Sequence, residues 1–305
     1  MENISVDNYR ELIKEERKKY FKQPYDLVYD NFLKLGYDKV DKDFFLNNSS
    51  EVVEKLRNSC WNEFQPLEKE FTSNMLKKLI DDEKVKNLTP IDAITWFVEE
   101  FPDHIYALTL SNTQSRRSRA GKEFESIIEL ILIGAGIPLD SQGNIGKQEF
   151  IKKGLGKLVD LVSPGVLEYI INKRNTVLIS AKTTLRERWQ EVPEEMGRTG
   201  AREMFLATLD TSISNDVLNT LYEANIQVTT TKNIKEQFYS DNSRVLTFEK
   251  LIEICLDNVS HWDNYNYTID QNEQIINLIN KQIEKHKNHD FVEKYYKERL
   301  NKINE

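Results

Sequence analysis

Two charges interrupt short apolar runs of strand-forming residues. Asp160 lies within KLVDLVSPG (157–165), and Lys182, twenty-two positions on, lies within NTVLISAKTT (175–184). A carboxylate inside such a run is costly unless it is paired or holds a cation. Adjacent strands would bring the acid and the amine together, and strand alternation puts Ser180 on the Lys182 face. Glu194 or Glu195, in the helical stretch EVPEEMGRTG (191–200), offers a further carboxylate. Mg²⁺ takes one or two carboxylates with waters and substrate oxygens. Once bound it acidifies water and neutralises charge developing on phosphorus, and a neighbouring lysine orients the attacking water and stabilises that same charge. The set therefore suits phosphodiester hydrolysis. A buried Asp–Lys ion pair beside a surface glutamate fits the spacing as well.

The residues just after Lys182 bear on that choice. Arg186, Glu187 and Arg188 stand side by side past the expected strand end. Arginine grips O6 and N7 of guanine with two hydrogen bonds, glutamate accepts from cytosine N4, and a good bidentate pair discriminates by roughly 1–3 kcal/mol. Arg-Glu-Arg is chemically complete for two adjacent G·C pairs: one arginine for each guanine, with the glutamate between two cytosine amino groups. The alternative is a solvated charge run.

These residues need a frame. Residues 1–108 look helical, with apolar positions at three- and four-residue spacing. Ser49 or Ser50 before EVVEKL is a candidate N-cap, and Thr89-Pro90 marks a helix start. A polar connector, SNTQSRRSRAG (111–121), then precedes the helix KEFESIIELILIGAG (122–136). Strand-rich runs come next: KLVDLVSPG, NTVLISAKTT, REMFLATLD (202–210) and NIQVTTTK (225–232), with helical VPEEMGRTGA (192–201) and ISNDVLNTLYEA (213–224) between them. This alternation predicts an α/β fold, a central mixed β-sheet flanked by helices. The expected division is a helical N-terminal region at 1–108 and a core at 109–305. The tail from Asp270 reads as one or two amphipathic helices that serve packing or dimerisation.

Composition narrows the class. With 305 residues, 39% hydrophobic and 30% charged, the chain suits one large globular domain or two modest ones. Its longest apolar run, IIELILIGAGIPL, is too short and glycine-broken to span a bilayer. Two cysteines provide neither a disulfide framework nor metal-ligand spacing, so a reducing cytoplasm is expected. A net charge of −8 argues against a wholesale nucleic-acid coat. Local basic clusters, SRRSRAGK (115–122), INKRN (171–175) and LRER (185–188), still leave surfaces for phosphate. The four histidines lack HExxH spacing, and His286 and His289 read as solvated helix positions, so no zinc site is expected. SQGNIGKQ (141–148) lacks the glycine spacing of a phosphate loop and reads as a turn.

VD (159–160), SAK (180–182) and Glu195 resemble the restriction-endonuclease variant of the PD-(D/E)xK nucleases. In that variant the acid before x-Lys is missing, and a glutamate from the following helix replaces it. SRRSRAGKEFE followed by KLVDLV, ISAKTTLRERW and EVPEEMGRTGAREMFLATLD is similar to the EcoRII/SsoII/PspGI/NgoMIV group, above all to the SsoII type, from residue 115 to about 210. Val159 stands where many relatives have proline, and Ser180 where the standard motif has an acid. The resemblance implies a PD-(D/E)xK restriction-endonuclease-like fold and a Mg²⁺-dependent, homodimeric type II restriction endonuclease. Its substrate would be double-stranded DNA cut at CCNGG, before the first C, in a bacterial or archaeal cytoplasm where a methyltransferase acts on the same site. The resemblance also implies that Asp160 and Glu195 carry Mg²⁺, that Lys182 is the positioning cation, and that Glu125 assists the metal or its waters. Arg186, Glu187 and Arg188 would read the CC/GG half-site from the major groove, and Gln114 would reach the minor groove.

A twofold dimer reading two CC/GG halves leaves the central pair on its axis. Several relatives extrude that pair. An extruded base needs a stacking platform, worth roughly 1–3 kcal/mol, to offset an unstacking cost of a few. Arg57 and Trp61 in RNSCWNEF, at i and i+4 on one helix face, offer a guanidinium and an indole that read no base identity. Trp61 as a core residue covered by Arg57 is the alternative. Two rival functions share parts of this reading. A structure-specific repair or junction nuclease would keep Asp160, Lys182 and Glu195, and a catalytically inactive DNA-binding protein would keep only the fold.

Overall fold

The computed structural model describes residues 4–304, without the side chains of Arg188 and Asn304. The strands among the described residues are β1 (Asp140–Ser141), β2 (Leu161–Ser163), β3 (Val177–Lys182), β4 (Met204–Thr208), β5 (Ile226–Thr230) and β6 (Val245–Thr247). They form one sheet in sequence order. The β1–β2 and β2–β3 pairs are antiparallel, and β3 to β6 pair in parallel. Leu178, Ile179, Met204, Phe205 and Leu206 are all buried, the continuous apolar run required of parallel strands covered on both faces. The Glu191–Thr199 helix crosses from β3 to β4, and the Asn215–Glu223 helix crosses from β4 to β5. The mixed, helix-flanked sheet agrees with the alternating pattern. β1 and β6 are two and three residues long, too short to print a two-residue period.

The chain forms two compact units, Met1–Val28 with Asn58–Glu123, and Tyr29–Arg57 with Phe124–Glu305. The first is helical. Ser5 caps the Val6–Tyr20 helix and Thr89 caps the Pro90–Glu100 helix, each side chain accepting a backbone N–H three residues on. Tyr9, Phe64, Phe71 and Phe101 are buried in it. The second holds the whole sheet. The expected division at 108/109 falls inside one helix, Pro102–Gly134, which contributes to both units.

That helix corrects one expectation. The polar stretch 111–121 is not a connector but the middle of a 33-residue helix. Two of its arginines have acidic partners: Arg116 pairs with Glu68 of the Lys42–Lys77 helix, and Arg119 pairs with Glu123 at i, i+4. Gly121 costs such a helix only about 1 kcal/mol. The serine caps are also corrected, because the Lys42–Lys77 helix begins earlier and kinks at Asn48 (φ −128°). Beyond the kink the Ser50 N–H donates to Glu249 Oε1 at 2.9 Å, so a remote carboxylate does the capping. His286 is buried rather than solvated, with Nδ1 3.2 Å from His289 Nδ1 and Nε2 3.4 Å from Glu129. It ends the Ile269–Lys285 helix, against which Asp290–Asn304 folds back. Among the described residues no three metal-ligating side chains cluster, and no helix is long and apolar enough to cross a membrane.

Candidate active site

The β2–β3 register pairs Leu161 with Ile179. Carried back one residue, it sets Asp160 opposite Ser180, and the Asp160 N–H donates to Ile179 O at 2.9 Å. Asp160 thus stands at the entry to β2 and Lys182 at the end of β3. The amine lies 3.1 Å from Asp160 Oδ2, and the Ala181 N–H donates to that same oxygen at 2.7 Å. Among the described residues no hydrogen bond lands on Oδ1. Burial pushes the Asp160 carboxyl above its ordinary value, although Lys182, the Ala181 N–H and Lys147 pull the other way. A carboxylate so placed is short of positive charge, which a divalent cation would supply. Beside it, Ser180 Oγ is buried without a hydrogen-bond partner among the described residues.

Glu195 lies on the crossover helix and is buried, while its neighbour Glu194 is exposed and pairs with Arg198. Of the two glutamates the spacing allows, it is therefore Glu195 that turns inward. Its Oε1 accepts the N–H groups of Lys157 and Leu158, so the carboxylate docks on the segment leading into Asp160. No hydrogen bond or ion pair joins it to Asp160 or Lys182 among the described residues. Gly156 permits this docking: its φ is +79°, and a β-carbon there would fall on Glu195 Oε1. Gly156→Ala is expected to displace the carboxylate, and in the role the resemblance implies for Glu195 single-turnover cleavage should fall by about 10²-fold, the scale of an ångström misplacement in a catalytic site. From the other side Gln142 grips the same segment, its N–H on Asp160 O and its Nε2 on Val159 O, both at 2.8 Å. The stretch SQGNIGKQ is thus a brace for the acid-bearing strand. Sequence reasoning did not assign it this role, because nothing local links residue 142 to residue 160.

After β3 the chain forms a short 3₁₀ helix, Arg186–Gln190. Arg186 and Glu187 are exposed there, and the Arg188 side chain lies outside the described residues. Gln114 is exposed and Glu125 half-buried, both on the Pro102–Gly134 helix. Trp61 is 43% exposed, which sets aside its reading as a core residue. Arg57 is exposed one turn before it on the same helix. The guanidinium over the Trp61 ring is that of Arg116, 5.9 Å from the centroid and anchored through Nε on buried Glu68 at 2.6 Å. The cluster SRRSRAGK was the only sequence signal for it.

Residues 83–252 match the family described as EcoRII C terminal. Over 303 residues, 99% of both lengths, the chain is 55% identical to the type II restriction enzyme SsoII of Shigella sonnei. The chain belongs to the SsoII-type restriction endonucleases. Its fold superposes with a TM-score of 0.93 on Ecl18kI, a structure of the metal-depleted protein with uncleaved DNA, at 55% identity over 98% of this chain and 100% of that one. PspGI bound to substrate DNA gives 0.58 at 16% identity, over 79% and 94% of the two chains, a likeness of fold alone. The PD-(D/E)xK-like architecture expected for this endonuclease is therefore the one it has, and it is a site-specific deoxyribonuclease.

Proposed function

We propose that the endonuclease cuts both strands of duplex DNA at CCNGG, before the first C, leaving 5′ overhangs. It acts as a Mg²⁺-dependent homodimer in a bacterial or archaeal cytoplasm, where a methyltransferase modifies the same site in host DNA. The observation that carries this reading is the Asp160–Lys182 pair where the chain enters β2 and leaves β3, with an exposed Arg186-Glu187 turn four residues beyond the amine.

Asp160 and Glu195 fit Mg²⁺. Asp160 is an under-compensated buried carboxylate, and among the described residues the one charged partner of Glu195 Oε2 is the exposed Arg198 guanidinium, at 3.7 Å. When bound, the ion supplies charge neutralisation at the scissile phosphate and a more acidic water. Lys182 Nζ, held between Asp160 Oδ2 (3.1 Å) and Ala181 O (2.9 Å), is a fixed donor. It orients the attacking water and meets the negative charge that builds on the phosphate oxygens. In-line attack leaves a 5′-phosphate and a 3′-hydroxyl. Glu125 assists the metal or its waters.

Arg186, Glu187 and Arg188 read the CC/GG half-site, and Gln114 contacts the minor groove. Trp61, exposed and with Arg57 one turn away, stacks on an extruded central base. Trp61→Ala should then weaken binding by roughly 5- to 150-fold, equally for four duplexes that differ only at N. A loss confined to one of the four duplexes contradicts sequence-blind stacking.

Incubating a plasmid of known sequence with enzyme and Mg²⁺, then sequencing the ends, tests the whole reading. Staggered ends at every CCNGG are expected, with none in EDTA. Random or junction-dependent ends favour the repair-nuclease alternative, and absence of nicking favours the inactive DNA-binding one.

A further inference from the structure

We infer that Asp210 is a positioning residue that holds the base-reading turn in shape and so sets specificity without touching DNA. The inference rests on the proposed role of Arg186 as a base contact. β4 ends at Thr208, paired with Lys182, and the two chains stay bonded one step further, with the Leu209 N–H on Thr183 O at 3.2 Å. Asp210, 9% exposed, then places its carboxylate beneath the turn. Oδ2 accepts the Leu185 N–H at 2.8 Å, and Oδ1 accepts Ser212 N–H at 3.0 Å and Ser212 Oγ–H at 2.9 Å. The residue is itself pinned: its N–H donates to Thr208 Oγ1 at 3.2 Å, and Tyr239 O–H donates to its carbonyl at 2.7 Å. Burial opposes its charge, but the N–H groups of Leu185, Ser212 and Arg186, with the serine hydroxyl, outweigh burial and hold the carboxyl below its ordinary value.

The turn needs such a clamp because Arg186 sits at φ +45°. That region is unfavourable for any residue with a β-carbon, and an isolated turn would relax out of it. With the amides of Leu185 and Arg186 drawn to the carboxylate, the chain reverses and the side chains of Arg186 and Glu187 point to solvent. Lys182 and Asp210 lie on bonded neighbouring chains, so one carboxylate also fixes how far the reading turn stands from the cutting amine.

The test compares wild type, Asp210→Ala, Asp210→Asn and Arg186→Ala on a CCNGG duplex and on a duplex with one G·C pair of the site exchanged. Asp210→Ala is expected to lose roughly 10- to 100-fold in discrimination, with the loss in KM rather than kcat. Asp210→Asn, which keeps an acceptor for the Leu185 N–H, should recover part of it. If Arg186→Ala loses discrimination and Asp210→Ala keeps it, the inference alone fails. If Arg186→Ala discriminates like wild type, the reading of the turn fails with it. If both Asp210 variants lose helical circular dichroism and all DNA retention together, Asp210 serves stability alone and the inference is overturned.

Discussion

Lys182→Ala should lower single-turnover cleavage of a CCNGG duplex by about 10²–10³-fold, the usual loss when one donor to a developing oxyanion is removed, while binding of the duplex persists. The amine is immobilised at 3.1 Å from Asp160 Oδ2 and 2.9 Å from Ala181 O, so in the proposed role it would meet the reacting phosphate with no reorganisation. Lys182→Arg should not restore the rate, because a planar guanidinium cannot occupy the place of a compact ammonium. Rapid-quench measurement with enzyme in excess isolates the chemical step. Cleavage within tenfold of wild type in Lys182→Ala would leave the amine as no more than one half of a buried ion pair.

Asp160→Asn should cost about as much in cleavage and yet stabilise the metal-free enzyme. Removing one partner of a buried pair ordinarily destabilises. Here burial raises the carboxyl more than Lys182, the Ala181 N–H and Lys147 together lower it, so the balance reverses. An acid with a folded pKa above its unfolded value holds its proton more tightly when folded. Stability therefore falls as pH rises from the unfolded value, about 3.9, through the folded one, and the whole penalty is present above it. Asparagine carries no such penalty. In EDTA above that window the variant should melt higher than wild type, by about 2 °C for each kcal/mol recovered. Excess Mg²⁺ should reverse the order, raising the wild-type Tm by mass action and leaving the variant unmoved. Calorimetry of both proteins in EDTA and in Mg²⁺ decides the matter; equal responses to Mg²⁺ would remove Asp160 from the metal site.

Much of the centre was legible because its signals are local. β3, β4 and β5 are long enough to print apolar runs, and the helices that cross between them carry ordinary amphipathic spacing. A charge at the edge of such a run stands out, which is how Asp160 and Lys182 declared themselves. The choice between Glu194 and Glu195 was not local. It depends on which side of one helix meets the 156–158 segment, and Gly156 decides that by leaving room.

By itself, then, the order of residues determined the mixed α/β plan, the acid–amine pair and the exposed Arg-Glu beyond it, since each is written in propensity and alternation over a few neighbours. Only the tertiary structure decided that a polar stretch would continue a 33-residue helix, that Glu249 would cap a kink 199 residues away, that His286 would be buried, and that Asp210 would grip the turn after β3. Each of these depends on a partner distant in the chain, and a buried hydrogen-bonding group takes whichever partner packing brings within about 3 Å, whatever its place in the sequence.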